Sequence, residues 1–422
     1  MIKLLLIQPE NREIKRFRRW QFNNFSQITI PYLAAYADER YFEIRLVDEY
    51  GERIPFKRKF DLVAITVNTP NAPHCYELSA EFRKRGAKVV MGGPHVTLLP
   101  EEARAHCDYL LIGESERTWR QFLEDYAAGK PRSEYTDDQP PTLATLPLPR
   151  WDLLKRNRVM KGAVFATRGC PYHCRYCNLK QIYHNVFRTR PVAEVAAEIR
   201  VMKSKFFVFW DDNLFADKEY AKELLRAIAP LKLKWAAQVT LRDCADEELL
   251  AAARSAGCLY LFVGVESFSE QSLESAGKAI NRVADYKPLI DGIHRHGIMI
   301  QAGIVFGFDG DRKDVFDNTL AACEALGIDG VTVSVLTPFP KTPVYEQLKA
   351  EGRLLTGDWS RYNSKTAVAF QPKHMSAAEL LAGYVRFRRQ FYSLGSFVRR
   401  MRVSRTNIAL NFVINLGYRL GV

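Results

Sequence analysis

The sequence predicts an α/β chain: two sheet-bearing units in series, then a helical tail. Three observations carry this. Over residues 1–125, short apolar runs of strand length alternate with amphipathic stretches of helix length. Over 161–345, a strand-then-helix period repeats about six times. From Ser376 onward the pattern is helical. Buried strands that alternate with helices imply parallel sheets. The first unit is therefore expected to be a doubly wound, Rossmann-like sheet, and the second a partial (β/α)6 barrel of the TIM type. A chain of 422 residues also exceeds what one ordinary core holds. The expected divisions are 1–130, a linker at 131–160, a barrel at 161–350 and a helical region at 351–422.

In the first unit, IKLLLIQP (2–9) reads as a buried strand, not a signal peptide: its apolar run ends at Pro9 with no small-residue cleavage site. ITIPYLAAYADER (28–40) is helical, EIRLVDEY (43–50) alternates like a strand, and DLVAITVNTP (61–70) is a buried strand ending in a polar loop. YELSAEFRKRG (76–86) is an amphipathic helix, and AKVVMGGPHVT (87–97) is a strand that breaks at Gly92-Gly93-Pro94. Residues 107–126 read as a strand, a loop with Glu114 and Glu116, and a helix. Ligands of such sheets bind at the carboxyl ends of the strands. This places Asn68-Thr69-Pro70, Gly92-Gly93-Pro94-His95 and Gly113-Glu114 on the binding face. The Pro-rich, polar stretch that follows, with GKPRSEYTDDQPP and LPLPRWDLL, is the linker.

The barrel strands are expected at 162–167, 206–211, 234–240, 259–267, 299–308 and 330–338. RGCPYHCRYCNLK follows the first of them, so Cys170, Cys174 and Cys177 fall on the catalytic rim. Three thiolates spaced C-x3-C-x2-C can hold three irons of a [4Fe–4S] cube and leave the fourth iron open. The alternative is zinc with a distant fourth ligand. Cys75, Cys107, Cys244, Cys258 and Cys323 are scattered and read as free core thiols, which suits a reducing cytoplasm. No apolar run reaches the length of a membrane span. The net charge of +13 admits nucleic acid, an anionic membrane or an acidic substrate as partner.

These pieces together resemble the radical S-adenosylmethionine (SAM) enzymes that carry an N-terminal cobalamin-binding domain, the class B methyltransferase-like family. The resembling residues are the VNTP loop (67–70), GGPHVTLLPEEA (92–103) and YLLIGESE (109–116) in the first unit. In the second they are the cysteine motif with Tyr176 before its third cysteine, FWDDNLF (209–215), GVES (264–267), AGIVFGFDGD (302–311) and LTPFPKTPVY (336–345). The resemblance implies a [4Fe–4S] cluster on Cys170, Cys174 and Cys177. Its open iron would take the amino and carboxylate groups of SAM, and one-electron cleavage would yield a 5′-deoxyadenosyl radical. It further implies SAM contacts from Tyr176, Asp211, Asp212, Gln238, Glu266, Ser267, Gly303 and Gly307. The two glycines would permit close approach, to the adenine. Asp211 and Asp212 stand where many radical SAM enzymes carry Gly-Gly-Glu; helix N-capping is the alternative role.

For cobalamin, the resemblance points to Asn68, Thr69, Gly92, Gly93, His95, Gly113 and Glu114. There is no Asp-x-His-x-x-Gly motif, and the acidic strand end Asp48-Glu49-Tyr50-Gly51 contains no histidine. Cobalamin is therefore expected without a histidine ligand, with His95 a loop residue beside it. A domain that has lost its cofactor is the alternative. The reaction implied is C-methylation of an unactivated carbon, or of phosphorus, in a small-molecule or lipid-like substrate. One SAM methylates cobalt and a second opens the C–H bond. Rearrangement, cyclisation or oxidation without methyl transfer is the alternative within the class. RNA modification and a non-catalytic cobalamin or SAM sensor lie outside it. The RNA enzymes bring extra N-terminal cysteines and a C-terminal barrel that this chain lacks, so nucleic acid is not expected. A flavodoxin or ferredoxin is the expected electron donor. The location expected is cytoplasmic, with the basic tail helices as the place for peripheral membrane contact.

Overall fold

The computed structural model describes residues 1–15, 27–137, 139–154, 162–278 and 280–421. Six strands form the first sheet: β1 (Ile2–Gln8), β2 (Phe42–Asp48), β3 (Leu62–Thr66), β4 (Lys88–Gly92), β5 (Tyr109–Ile112) and β6 (Glu134–Thr136). Their order is β2-β1-β3-β4-β5-β6 and every pairing is parallel. Strands covered on both faces read as continuous apolar runs, and Leu4, Leu5, Leu6 and Ile7 are all buried. Leu5, Ile7, Val63 and Val89 pack with Leu78 and Phe82 of the helix Ala72–Lys84. On the other face Leu4, Leu6, Leu62 and Val90 pack with Trp119 and Phe122 of the helix Ser115–Ala127. The strand order reverses between β1 and β3, so a crevice opens at their carboxyl ends.

β6 lies in the stretch read as linker, so the sheet continues past residue 130. Its three residues carry no apolar run; Tyr135 alone is buried, its hydroxyl donating to Asp125 at 2.8 Å. Residues 155–160 of the expected linker lie outside the described residues.

The second sheet contains β7 (Ala163–Val164), β10 (Phe206–Phe209), β11 (Lys234–Thr240), β12 (Cys258–Glu266), β13 (Met299–Phe306) and β14 (Gly330–Val335). They run in sequential order, all parallel, with helices between them, and β7 and β14 remain unpaired to each other among the described residues. This is the incomplete barrel expected. The run expected at 162–167 divides after β7, because Thr167 and Arg168 leave the sheet. They form β8 (Thr167–Arg168), antiparallel to β9 (Arg188–Thr189).

Three helices close the chain: Ala377–Phe391, Leu394–Ser404 and Ile408–Leu420. The first begins on a capping box, with Ser376 and Glu379 satisfying each other's backbone. The other two hang from one buried carboxylate, Asp329, at the entrance to β14. It accepts from Ser404 Oγ (2.6 Å), Thr406 Oγ1 (2.6 Å), Asn411 Nδ2 (2.8 Å), Ile300 N (2.8 Å) and His294 Nε2 (3.0 Å). Burial pushes the Asp329 carboxyl up, but its donors and the His294 charge outweigh burial and hold it below the ordinary range. Arg400, fully buried, ties the same corner by donating to the carbonyls of Ile328 and Asp329 at 2.8 Å and lying 3.8 Å over the Phe391 ring.

Removing Asp329 strands these donors, and Asp329→Ala is expected to destabilise the protein by about 3–5 kcal/mol, read as a fall in Tm. The carboxyl is depressed in the folded state, so its stabilisation is present above the unfolded pKa and is lost as pH falls through the folded one. Acidification should therefore narrow the Tm gap between wild type and Asp329→Asn; a constant gap would contradict the assignment.

Candidate active site

The cysteine loop has a two-residue neck. Thr167 pairs with Thr189 and Arg168 with Arg188, which brackets residues 169–187 into one arm at the carboxyl end of β7. Gly169 opens the arm at φ +87°; a Cβ there would lie 2.4 Å from the Val186 carbonyl oxygen, so only glycine fits. Tyr172 anchors the arm by donating to Asp243 at 3.0 Å, and the Arg175 amide donates to the Ala276 carbonyl at 2.9 Å. Cys170, Cys174 and Cys177 are half-buried on this arm and lie within electrostatic reach of one another. Burial pushes the Cys170 thiol up to about 11 and Cys177 to about 12. Thiols so placed are poor free anions and gain their charge by bonding metal. Among the described residues no three His, Cys, Asp or Glu side chains converge on one point as ligands of a single ion would. A cube asks for one iron per cysteine, and three thiols on one short arm fit that demand.

Glu266 and Lys278 lie beside the thiols. Lys278 Nζ meets Glu266 Oε1 at 3.2 Å, both buried, and its charge is felt by Cys170 and Cys174. Glu266 takes φ +68° where the β12–β13 register slips, a strained conformation of the kind that gathers at functional sites. Tyr176 reaches the same carboxylate with its hydroxyl and rests its ring 5.7 Å from Phe308. Asp212 accepts from the Gly169 amide at 3.0 Å, and burial raises it to about 6. Sequence reasoning missed Lys278; a lone lysine in a loop carries no motif, and only its pairing with Glu266 marks it.

Several expected SAM contacts are placed otherwise. Asp211 turns to the end of β7, accepting from the Ala166 amide at 3.1 Å and Thr167 Oγ1 at 2.6 Å, and serves as a strand staple. Ser267 Oγ accepts from the Ser269 amide at 3.1 Å, with its own O–H left to donate. Gly307 is glycine for packing: at φ +109° a Cβ would lie 2.8 Å from Leu380. Gly303 faces the Phe262 ring, 3.1 Å from where its Cβ would stand. Gln238 does face the barrel interior, its amide donating to the Asp212 carbonyl at 3.1 Å.

A cavity of about 330 Å³ lies at the carboxyl end of the first sheet, against the barrel. Asn68, Gly92, Gly93, Gly113 and Glu114 line it, as the strand-end rule predicts; Gln8, Thr66, Thr97 and Ser115 join them, and Leu6, Ala64, Val90 and Trp119 supply an apolar strip. Thr69 and His95 are corrected. His95 sits on the helix Pro94–Leu98, fully buried away from the cavity, within 3.3 Å of Thr69 Oγ1 and of Glu102 Oε1. It is a satisfied core histidine, and no histidine lines the cavity among the described residues. The strand-end backbone and hydrogen-bonding side chains suit a cofactor held at the carboxyl end of the sheet. Glu116 Oε2, buried at the rim, has no hydrogen-bond partner among the described residues. Glu114 does more than line: its carboxylate receives Arg168 Nη1 at 2.5 Å and Arg188 Nη2 at 2.6 Å. It clamps the neck of the cysteine arm to the first domain. A second buried tie, Tyr32 to Glu198 (2.6 Å) and Glu198 to Arg190 (2.9 Å), crosses the same seam.

The barrel interior is a chamber of about 720 Å³, lined by Phe206, Val208, Tyr260, Phe262 and Met299 and walled at one side by Leu410, Ile414 and Tyr418 of the last helix. It meets the first cavity at Tyr183, Trp210 and Asp212, which line both.

The Radical SAM superfamily matches residues 164–323 and the B12 binding domain family matches 23–123; a domain of unknown function, DUF4070, matches 342–412. The chain is 29% identical to bacteriochlorophyllide d C-12(1)-methyltransferase of Chlorobaculum tepidum, over 98% of this chain and 92% of that protein. It is 28% identical to bacteriochlorophyllide d C-8(2)-methyltransferase of the same organism, over 76% of each. It is 25% identical to the anaerobic magnesium-protoporphyrin IX monomethyl ester cyclase of Cereibacter sphaeroides, over 79% of this chain and 60% of that one. In fold it is similar to the radical SAM methyltransferase TsrM of Kitasatospora setae, solved with tryptophan and a SAM analogue, at TM-score 0.69 and 17% identity over 93% of this chain and 83% of that one. With its cysteine arm, its B12-binding sheet and these relatives, the chain belongs to the radical SAM enzymes that carry an N-terminal B12-binding domain and use a [4Fe–4S] cluster, SAM and cobalamin.

Proposed function

We propose that the protein is a C-methyltransferase acting on an unactivated carbon of a lipophilic, ring-containing small molecule. One observation carries this: Tyr183, Trp210 and Asp212 line both the cavity of the B12-binding sheet and the barrel chamber. Cluster and SAM supply a radical that opens a C–H bond, and cobalamin supplies methyl. The two must act on one carbon, and proximity of that kind is where such an enzyme gains its rate. The overall reaction consumes two SAM and two electrons; it returns methylated product, S-adenosylhomocysteine, 5′-deoxyadenosine and methionine. A flavodoxin- or ferredoxin-type protein is the proposed source of the electrons.

The chain's own residues have definite tasks. Cys170, Cys174 and Cys177 hold the irons. Glu266, with Lys278 and Tyr176 around it, and Asp212 are the polar groups proposed to orient SAM. Phe206, Val208, Phe262 and Met299 exclude water and accept an apolar substrate. The chamber's apolar lining suits the class of ligand named in the relatives, which act on tetrapyrroles. A second reading, cyclisation without methyl transfer, is favoured by the likeness to the cyclase. An RNA substrate finds no support in a C-terminal region of three helices and singly buried cysteines outside the arm.

The test is anaerobic turnover with [methyl-²H₃]SAM, a chemical reductant and bacteriochlorophyllide d as probe, read by mass spectrometry. The proposed reaction gives a product carrying one labelled methyl group with equimolar 5′-deoxyadenosine; 5′-deoxyadenosine with an unlabelled, altered product would establish the cyclase-like reading instead. Cys174→Ala should abolish 5′-deoxyadenosine and the iron–sulfur absorption together. Glu114→Gln should uncouple the steps: SAM cleavage persists while labelled product falls by about 10²-fold, since a small misplacement of one reacting group costs that much. Equal loss of both would show that Glu114 serves only stability.

A further inference from the structure

The last helix, Ile408–Leu420, buries two asparagines along with Ile414 and Tyr418 and leaves an apolar stripe outside. Its buried side holds Asn411 and Asn415, which donate to the Asp329 carboxylate and carbonyl at 2.8 and 3.0 Å. Its outward stripe is apolar: Ile408 is 56% exposed, Phe412 44%, Val413 57%, Leu416 43% and Leu420 58%. The preceding helix likewise buries a polar group, Arg400, and leaves Leu394, Val398 and Val403 exposed. Phe397 and Phe412 meet edge to face at 5.7 Å and join the two stripes into one surface. A helix that faces water turns its polar side outward, and a contiguous apolar face marks a contact surface.

Charge identifies the partner. From Leu380 to the last residue there are eight arginines and no Asp or Glu. Arg386 and Arg399 pair with Asp317 and Glu324. Arg389, Arg402, Arg405 and Arg419 are exposed, with no ion pair among the described residues. An apolar stripe rimmed by free guanidinium groups complements a phosphate-bearing surface, with apolar side chains at the acyl boundary and arginines at the headgroups. A symmetric contact between two copies would instead press these arginines against each other.

The geometry points to helices Leu394–Ser404 and Ile408–Leu420 as a docking face for an anionic lipid bilayer. No described helix is long and apolar enough to cross a membrane, so the protein lies on the surface. Leu410, Ile414 and Tyr418 of the same last helix wall the barrel chamber. One helix, about 10 Å thick, thus separates the lipid face from the chamber. The docking rests on the surface alone; its use in loading the chamber rests on the proposed lipophilic substrate.

Vesicle flotation of the intact protein tests the docking. Vesicles of phosphatidylglycerol mixed with phosphatidylcholine should carry up at least about tenfold more protein than phosphatidylcholine alone, and high salt should reduce that excess. The double variant Phe412→Glu/Leu416→Glu should stay at the bottom while keeping the wild-type Tm. Should it melt early, Arg402→Gln/Arg405→Gln/Arg419→Gln, altered only at exposed positions, should lose the preference for phosphatidylglycerol. Equal flotation with both lipids, or none, overturns the proposal. So does a dimer by light scattering that Phe412→Glu dissociates, which would give this face to a second copy. Flotation without methyl transfer to the tetrapyrrole probe would leave the docking standing and remove only the substrate assignment.

Discussion

The architecture depends on a carboxylate that one domain lends to another. Glu114 stands where β5 ends in the B12-binding sheet, and its two oxygens are taken by Arg168 and Arg188, the residues facing each other across the neck of the cysteine arm. Two arginines side by side in a buried neck would repel and open it. Glu114, with Glu116 meeting Arg168 at 2.6 Å, makes the neck closed and docked at once. The cysteine arm is therefore a shared part of the seam between two domains. Its thiols, the cavity of the first sheet and the barrel chamber are held in one register by that ion cluster.

Burial polarity is inverted at both ends of the barrel, for different reasons. At the catalytic rim, Asp211 is raised to about 7 and Asp212 to about 6 by burial, and Glu266 with Lys278 forms a buried pair. These groups are costly unless paired, and they are paired with the backbone of the arm or with each other. At the opposite end, Asp329, Asn411, Asn415 and Arg400 build a polar knot that fixes the last two helices by their polar sides. The knot frees the apolar side of those helices for the surface. Between the two ends lies the chamber, whose lining is mostly aromatic and aliphatic.

Much of this was legible in the residues. Continuous apolar runs such as LLLI and VVM mark strands covered on both faces, and the strand-end rule placed Asn68, Gly92, Gly93, Gly113 and Glu114 on the cavity. The cysteine spacing located the arm. What was not legible depends on which way a side chain turns. Asp211 and Asp212 are adjacent and alike, yet one faces β7 and the other the thiols. His95 follows a glycine pair as a cofactor-facing residue would, but the chain enters a helix at Pro94 and carries it inward to Glu102. Gly307 reads as room for a ligand and is room for Leu380. β6 has too few apolar residues to show a period. In the tail, arginine among aliphatics suggests a wet basic face; Arg402, Arg405 and Arg419 are exposed, but Arg400 is buried, and Val398, Phe412 and Leu416 are exposed as well.

Asp212, which lines both cavities with Tyr183 and Trp210 and lies within electrostatic reach of Cys170 and Cys177, would set a cluster on those thiols beside a corrin in the first cavity. Electron paramagnetic resonance of anaerobically reduced protein, loaded with iron, sulfide and cob(II)alamin, tests this directly. Adjacent centres must split or broaden each other's signals, and samples carrying either centre alone must lack that broadening. Two unperturbed signals that merely superimpose would contradict this placement, and with it the proposed transfer of methyl to a carbon activated in the barrel chamber.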